Sequence, residues 1–252
     1  MKAEVWSDVI CPWCGLANYR LHEALNHFEH AGDVELVHHS FEMAPDLPDG
    51  KGISQRELLA QVGKTGQAAE NYIRPIERLA KRDGLVPYVV MDRMMGNTAL
   101  AHELLAYATE QGRGPEAWQH AYRVHFGQSR PLFDIESLLV LAKEIGLDDD
   151  ATREALASRR FRDQVARDKA GAYRLGAQGV PFTVIDGRYG LSGAQETGVF
   201  LAALRRAWNE SHQPEPIITL GDGPGGVCGP ETCELPGGSS ADKPRAANTV
   251  GQ

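Results

Sequence analysis

The sequence predicts an α/β fold in which a block of helices interrupts a small mixed sheet. Three observations lead to this prediction. A strand-helix-strand pattern opens the chain, a long run of helical periodicity with Gly, Pro and Asp punctuation follows, and two strand-like runs joined by Asp186-Gly187 come near the end. The predicted order is therefore β-α-β, helical insertion, then α-β-β-α.

The opening unit is predicted from residues 3–41. Residues 3–10 are rich in β-branched and aromatic side chains and indicate a strand that ends at Cys11. Pro12 suits the first position of a helix, which we expect to end at Gly32-Asp33. Its apolar face is predicted to hold Ala17, Leu21, Ala24, Leu25 and Phe28, and its solvent face Asn18, His22, Asn26 and Glu29. Residues 34–41 predict a second, parallel strand.

The remaining elements follow in order. From Met43 to about Ser158 only helical patterns occur, so we expect no strand there. A long helix is predicted over residues 160–177, then the strand FTVID, an Asp-Gly hairpin turn, the strand RYGL and a final helix. This is the layer order of a thioredoxin-like fold with an inserted all-helical domain. The thioredoxin-like domain would comprise residues 1–43 and 159–213, and the insertion residues 44–158.

Residues 214–252 have a different composition. They contain 8 Gly and 6 Pro in 39 positions, with few apolar residues, and predict an extended Gly/Pro-rich C-terminal tail. Cys228 and Cys233 lie in it. A flexible linker of ~15 residues spans roughly 20 Å, so these cysteines could reach the start of the first helix.

Charge and hydropathy exclude several function classes. The chain has 34 acidic and 26 basic residues, a net charge of −8, and its basic residues are scattered, which argues against nucleic-acid partners and anionic membrane surfaces. No apolar run is long enough to span a bilayer. No apolar signal core precedes the first cysteine, so we expect a cytoplasmic protein.

The four cysteines form two close pairs, which indicates redox or metal chemistry rather than a disulfide scaffold. Cys11 lies where the first turn of a helix stabilises a thiolate, and Cys14 is placed to close or resolve a disulfide. Pro12 and Trp13 would shape and screen this pair. Half of a zinc site is the alternative interpretation of the same spacing.

A proline also precedes the strand FTVID. Pro181 could simply begin that strand. In thioredoxin-type folds, however, a cis-proline at this place faces the dithiol and leaves the backbone of the preceding residue, here Val180, free to pair with an extended substrate.

Four motifs in this order resemble the DsbA family, and most closely its cytosolic FrnE-type branch, over about residues 1–210. They are Asp8-Val9-Ile10-Cys11-Pro12-Trp13-Cys14, Ser40-Phe41-Glu42-Met43-Ala44-Pro45-Asp46-Leu47-Pro48, Asn97-Thr98 with His102, and Gly179-Val180-Pro181 with Ser192-Gly193-Ala194-Gln195. Two positions depart from the family pattern. Trp13 replaces the histidine of strongly oxidising members, and Phe182 replaces a threonine that here comes one place later.

The resemblance implies a thiol–disulfide oxidoreductase or isomerase without a cofactor or metal. Cys11 would be the attacking cysteine, Cys14 its partner and Pro181 the substrate-docking cis-proline, with Asn97 and His102 at substrate-contacting positions. Its partners would be protein disulfides or dithiols, and glutathione or a thioredoxin-type reductant. A monomer and a homodimer both stay open.

Several alternatives remain open. The Cys228–Cys233 pair is either a tail staple or an auxiliary redox dithiol that exchanges with Cys11–Cys14. Kappa-class glutathione transferases and chromene-carboxylate isomerases share the architecture but use a serine near the helix start. A thiolate metal sensor using all four sulfurs is the non-enzymatic alternative. A methionine cluster either lines a substrate groove or fills the core; it comprises Met43, Met91, Met94 and Met95.

Overall fold

The structure is a computed structural model that describes residues 1–212 and two short strands further on, at 227–228 and 233–234. Residues 1–212 form one compact unit, and residues 213–252 are a separate one. Within the described residues, no helix is long and apolar enough to cross a membrane. The rest of the predicted tail lies outside the described residues.

The elements alternate as the sequence predicts, with strands at both ends of a helical block. In chain order they are β1 (Lys2–Ser7), α1 (Pro12–Asn26), β2 (Glu35–Ser40), β3 (Ile53–Ser54), α2 (Gln55–Gln61), α3 (Gly66–Arg82), β4 (Met94–Met95), α4 (Ala99–Glu110), α5 (Gly114–Gln128), α6 (Ile135–Glu144), α7 (Asp149–Ala157), α8 (Arg162–Arg174), β5 (Phe182–Ile185), β6 (Tyr189–Ser192), α9 (Thr197–Ser211), β7 (Val227–Cys228) and β8 (Cys233–Glu234).

A four-stranded mixed sheet in the order β2-β1-β5-β6 organises the fold. β1 and β2 are parallel, from Lys2 opposite Glu35 to Ser7 opposite Ser40, while β5 and β6 add antiparallel neighbours. Helices α1 and α9 cover one face of the sheet through an apolar cluster around Val5. Helix α8 covers the other face, where Trp6 packs. The predicted thioredoxin-like fold with a helical insertion is confirmed.

Three local predictions on the opening unit are wrong. β1 ends at Ser7 because a turn follows, in which the Cys11 amide donates to the Asp8 carbonyl at 3.1 Å. α1 ends at Asn26, and Gly32-Asp33 belongs instead to a separate short 3₁₀ turn. Asn18 is buried, not solvated, because the insertion helix α5 packs over that side of α1.

The prediction that residues 43–158 contain no strand is also wrong. β3 and β4 pair antiparallel, with Ile53 opposite Met95 and Ser54 opposite Met94. Each strand has two residues, which is too short for the alternation of side chains that marks a strand in a sequence. Ser54 also caps α2 through a reciprocal capping box with Glu57.

A buried arginine on α1 connects the insertion to the sheet domain. Arg20 is 2% exposed, and its Nε donates to Asp83 Oδ2 at 2.7 Å, just after α3. Its Nη1 donates to the carbonyl of Ala194 at 2.7 Å, between β6 and α9. One side chain therefore holds three distant parts of the chain together.

Candidate functional site

The Cys11–Cys14 dithiol lies where β1 gives way to α1. Cys11 is the N-cap residue, Pro12 occupies the first turn, and the Cys11 carbonyl accepts hydrogen bonds from the amides of Cys14 and Gly15 at 3.0 and 3.1 Å. Both cysteines are free thiols and buried, Cys11 being 3% exposed and Cys14 fully buried. The amide-rich start of a helix is therefore directed at Cys11.

The two thiols are strongly differentiated. A hydrogen bond from the Cys14 thiol, helped by the amides of Cys14 and Trp13, lowers the pKa of Cys11 despite its burial. Burial and the neighbouring Cys11 sulfur raise the pKa of Cys14 well above its ordinary value. Cys11 is thus the thiolate of the pair and Cys14 the thiol that donates to it.

The segment before β5 faces the dithiol. The Cys11 Sγ lies 3.9 Å from the Val180 carbonyl oxygen, and the Val180–Pro181 peptide bond is cis. The Pro181 carbonyl accepts a hydrogen bond from Gly193 at 2.8 Å, which joins this segment to the end of β6. On the open side, the Trp13 indole is 45% exposed beside the dithiol. The structure therefore brings together Cys11, Cys14, Pro12, Trp13, Val180 and Pro181.

A buried carboxylate lies behind the dithiol. Asp8 is fully buried; Oδ2 accepts a hydrogen bond from the Met43 amide at 2.7 Å, and Oδ1 lies 3.3 Å from His102 Nε2. Burial raises the pKa of Asp8, but His102 and the amides of Met43 and Ile10 outweigh it and leave that pKa below its ordinary value. Asp8 is therefore a buried anion, and its charge raises the pKa of both cysteines.

Asn97 and His102 are buried on the same side of the dithiol as Asp8. Asn97 donates to the carbonyls of Pro45 and Leu47 at 3.0 and 2.9 Å, and its Oδ1 accepts from Ala99. His102 is fully buried and faces Asp8. The described contacts of both side chains are internal, and their role in substrate binding stays a prediction.

Two further residues of the insertion contact the backbone on either side of Cys11. Tyr88 donates to the carbonyl of Pro12, and Arg93 Nη2 donates to the carbonyl of Ile10 at 2.8 Å. Sequence reasoning missed both residues. An arginine in a loop between helices carries no local signal that it is buried, and only the folded chain brings it to the dithiol.

The other sequence candidates have mixed outcomes. Met91 and Met95 are buried in the core, whereas Met43 and Met94 are exposed. Among the described residues, no group of three or more His, Cys, Asp or Glu side chains is placed to hold a metal ion. In the separate C-terminal unit, the backbones of Cys228 and Cys233 are paired directly opposite each other in β7 and β8. Their side chains lie outside the described residues.

Comparisons with known proteins agree with this geometry. The model of the DSBA-like thioredoxin domain matches residues 2–205. A probable DsbA oxidoreductase from Streptomyces coelicolor is 38% identical, with a TM-score of 0.79 over 94% of this chain and 100% of that one. A 2-hydroxychromene-2-carboxylate isomerase has 17% identity and a TM-score of 0.64, over 84% and 98% of the two chains.

The cytosolic disulfide reductase DsbM from Pseudomonas aeruginosa, solved with GSH, is 21% identical, with a TM-score of 0.55 over 84% and 98%. The similarity to the isomerase and to DsbM, at 17% and 21% identity, shows a shared fold and nothing more. The domain match, by contrast, spans most of the chain and includes the dithiol, the cis-proline segment and the helical insertion. The chain therefore belongs to the DSBA-like thioredoxin domain family and is a thiol–disulfide oxidoreductase.

Proposed function

We propose that the protein exchanges disulfides with protein substrates through Cys11 and Cys14. The Cys11 thiolate attacks a substrate disulfide, a new S–S bond forms between them, and the second substrate sulfur leaves as a thiolate. Cys14 then loses its proton and attacks Cys11, which releases the reduced substrate and leaves the Cys11–Cys14 disulfide. The reverse sequence would oxidise a substrate dithiol.

The placement of Cys11 at the start of α1, with the cis Val180–Pro181 segment facing it, is the observation that carries this proposal. The lowered pKa of Cys11 agrees with it. A thiolate is the nucleophile in disulfide exchange, and the partner thiol has to stay protonated until the mixed disulfide exists. The raised pKa of Cys14 meets the second requirement. The Val180 carbonyl lies 3.9 Å from Cys11 Sγ and offers a backbone acceptor to an extended substrate segment. This fits the proposed role of Pro181 as the cis-proline at which the substrate docks.

Trapping of the mixed disulfide tests the proposal. Cys14→Ala removes the resolving thiol, so a disulfide-containing model substrate should accumulate in a covalent complex through Cys11. Cys11→Ser should form no complex and lose insulin-disulfide reduction. A complex formed equally well by Cys11→Ser would show that the reactive cysteine lies elsewhere.

Glutathione is the small-molecule partner that we propose for recycling the dithiol. Support comes from the similar fold of a cytosolic disulfide reductase solved with GSH. Glutathione disulfide should form a mixed disulfide with Cys11 in the Cys14→Ala variant, detected as a mass increase on the Cys11 peptide. A glutathione-dependent isomerase is the competing activity, because a chromene-carboxylate isomerase has a similar fold. Isomerase turnover that survives Cys11→Ser would favour that activity.

The Cys228–Cys233 pair is proposed as an auxiliary dithiol. The opposed register of β7 and β8 supports a bridge within the pair, since directly opposed strand residues approach closely. Reductase and oxidase turnover of a Cys228→Ser/Cys233→Ser variant should differ from wild type. Identical turnover and an identical redox potential would contradict this role.

A cytoplasmic location and membership of the FrnE-type branch are also proposals. The similar disulfide reductase from Pseudomonas aeruginosa is cytosolic. Fractionation of the native host should find the protein in the cytoplasm, and its recovery from another compartment would contradict the proposed location.

A further inference from the structure

Arg93 is a buried cation beside the dithiol. It is 4% exposed, and Nη2 donates to the carbonyl of Ile10, the residue before Cys11, at 2.8 Å. Nη2 also lies 3.4 Å from the Gln55 amide oxygen, and Nη1 lies 2.8 Å from His125 Nε2. These hydrogen-bond partners are a carbonyl, an amide and an imidazole. Because a buried charge is costly without an opposite charge, the groups that compensate Arg93 have to be identified; the carboxylates of Asp8 and Glu77 are two of them, and the Cys11 sulfur is a third.

His125 supplies no negative charge, because its imidazole is neutral. A guanidinium can only donate, so His125 Nε2 must accept from Arg93. His125 Nδ1 then carries the proton and donates to the Arg130 carbonyl at 2.8 Å. Burial lowers the pKa of His125 to about 3, and the Arg93 charge acts in the same direction. The imidazole therefore orients Arg93 without compensating its charge.

The remaining surroundings of Arg93 are an aromatic ring and the titratable groups around the dithiol. The guanidinium carbon lies 4.6 Å from the centre of the Phe126 ring, an aromatic contact that carries no net charge. Burial lowers the pKa of Arg93 to about 10, so it stays a cation at neutral pH. Several titratable groups influence the Cys11 sulfur from the elements packed around it: Asp8, Cys14, Tyr88, Arg93 and Tyr122.

Asp8 and Arg93 act on Cys11 in opposite directions. The Asp8 carboxylate raises the pKa of Cys11, whereas the Arg93 cation favours the negative charge of a thiolate. The buried cation forms when the chain folds, but the thiolate exists only in the reduced enzyme. The charge of Arg93 is therefore better compensated in the reduced state than in the disulfide state.

We propose that Arg93 is a positioning residue that stabilises the Cys11 thiolate with its buried charge and fixes the backbone before Cys11 through the Ile10 carbonyl. This inference rests on the proposed role of Cys11 as the attacking cysteine. It assigns the inserted domain a part in setting the redox potential of the dithiol.

The test uses Arg93→Met, Arg93→Lys and Tyr88→Phe in the full-length protein. Alkylation of Cys11 is followed against pH by tandem mass spectrometry, whose fragment ions separate Cys11 from Cys14 on the same peptide. Arg93→Met should raise the pH midpoint of Cys11 alkylation by about one unit or more. The equilibrium constant for reduction by glutathione should fall about tenfold, which corresponds to roughly 30 mV. Arg93→Lys, which keeps the charge, should restore most of both values.

Tyr88→Phe is the matched control for backbone bracing. It removes the hydrogen bond to Pro12 on the other side of Cys11 without removing a charge. A shift in Tyr88→Phe as large as that in Arg93→Met would overturn the electrostatic role, as would an unchanged midpoint in a folded Arg93→Met. If Arg93→Met does not fold, Arg93→Gln, which removes the charge but keeps hydrogen-bond donors, decides: a midpoint raised by about one unit supports the proposal, and a midpoint near wild type overturns it.

The wild type separates this inference from the proposed function. A wild-type Cys11 that alkylates with an ordinary thiol midpoint and forms no mixed disulfide would contradict the proposed function itself. A wild-type Cys11 with a lowered midpoint that Arg93→Met leaves unchanged would contradict the role of Arg93 alone.

Discussion

At the scale of single residues, the chemistry depends on a thiolate that is almost entirely buried. Cys11 is 3% exposed, so solvation by bulk water contributes little to its charge. The Cys14 thiol and the amides of the first turn supply the hydrogen bonds instead. Small changes in the charges behind this pair should therefore change its reactivity measurably.

Asp8→Asn provides the first prediction. The Asp8 carboxylate raises the pKa of Cys11 and of Cys14, so its neutralisation should lower both. The pH midpoint of Cys11 alkylation should fall relative to wild type. Asp92→Asn is the control, because Asp92 is an exposed carboxylate paired with Arg56 and Arg74. A midpoint that rises in Asp8→Asn would contradict the role of the buried charge.

The sequence predicts part of this residue-level picture. The spacing of Cys11 and Cys14 and the place of Pro12 identify the dithiol and its helix start without a structure. The sequence shows Asp8 as part of the motif before Cys11 but does not show that it is buried. Its contact with His102 joins residues 94 positions apart. Arg93 resembles any loop arginine, because its burial depends on how the insertion folds over α1.

At the scale of elements, α1 depends on close packing against the insertion. A Cβ at Gly15 would lie 2.5 Å from the Tyr88 hydroxyl and 3.1 Å from the Phe126 ring. The usual benefit of replacing a helical glycine by alanine is therefore reversed here.

Gly15→Ala is accordingly predicted to destabilise the protein by about 1–3 kcal/mol, because Tyr88 and Phe126 would have to move. Gly198→Ala in α9 should stabilise it by up to about 1 kcal/mol, because beyond the adjacent helix backbone no atom of the described residues lies within 4 Å of the added Cβ. Thermal unfolding of both variants measures the contrast. A Gly15→Ala variant that is more stable than wild type would show that Tyr88 and Phe126 do not pack closely against α1.

Helix α8 is joined to the sheet by a titratable contact. His39 Nε2 lies 3.1 Å from Glu4 Oε1 on β1, and His39 Nδ1 lies 3.3 Å from Asp168 Oδ1 on α8. Burial lowers the pKa of His39, but Asp168 and Glu4 outweigh it and raise that pKa above the ordinary 6.5. The protonated imidazole therefore bridges two strands and a helix.

The sign of the pH effect follows from that direction. Because the folded pKa is raised, the stabilisation is fully present below pH 6.5 and is lost as the pH rises through the folded pKa. His39→Gln should cost about 1 kcal/mol or less, and the loss should be larger at pH 5.5 than at pH 9. Urea unfolding at several pH values checks this, with exposed His27→Gln as control. A loss that grows with pH would contradict the ion-pair role.

Sequence periodicity predicts elements whose partners are local. The order β1-α1-β2 and the hairpin at Asp186-Gly187 are found as expected, because each strand, helix and turn is marked by its own local residues, although the ends of β1 and α1 differ from the prediction. The β3–β4 pair is missed because it joins two-residue strands 40 positions apart. The burial of Asn18 is missed because a helix pattern does not show which second layer will cover a polar stripe.

At the scale of the whole molecule, the insertion and the sheet domain share one core. Residues around the dithiol, including Ile10, Cys14 and Leu16, belong to the same apolar cluster as Leu104 and Trp118 of the insertion helices. A cluster that crosses the boundary between two chain segments couples their unfolding.

Residues 1–212 are therefore predicted to unfold in a single cooperative transition. Far-ultraviolet circular dichroism, tryptophan fluorescence and the exposure of Cys14 to a thiol reagent should give coincident midpoints in guanidinium chloride. An early loss of helix with Cys14 still protected would show instead that the insertion unfolds by itself.

Arg20 limits how this architecture could be rebuilt. Excision of the insertion would remove Asp83, the closest carboxylate to Arg20, and would uncover the side of α1 that the insertion buries. Apolar side chains of the shared cluster, such as Leu16, would then face solvent, which destabilises the remaining fold. A minimised enzyme made by joining the two flanking segments would need polar replacements on that side of α1 and a new partner for Arg20. The helical block is therefore a poor candidate for a transferable cassette in protein engineering.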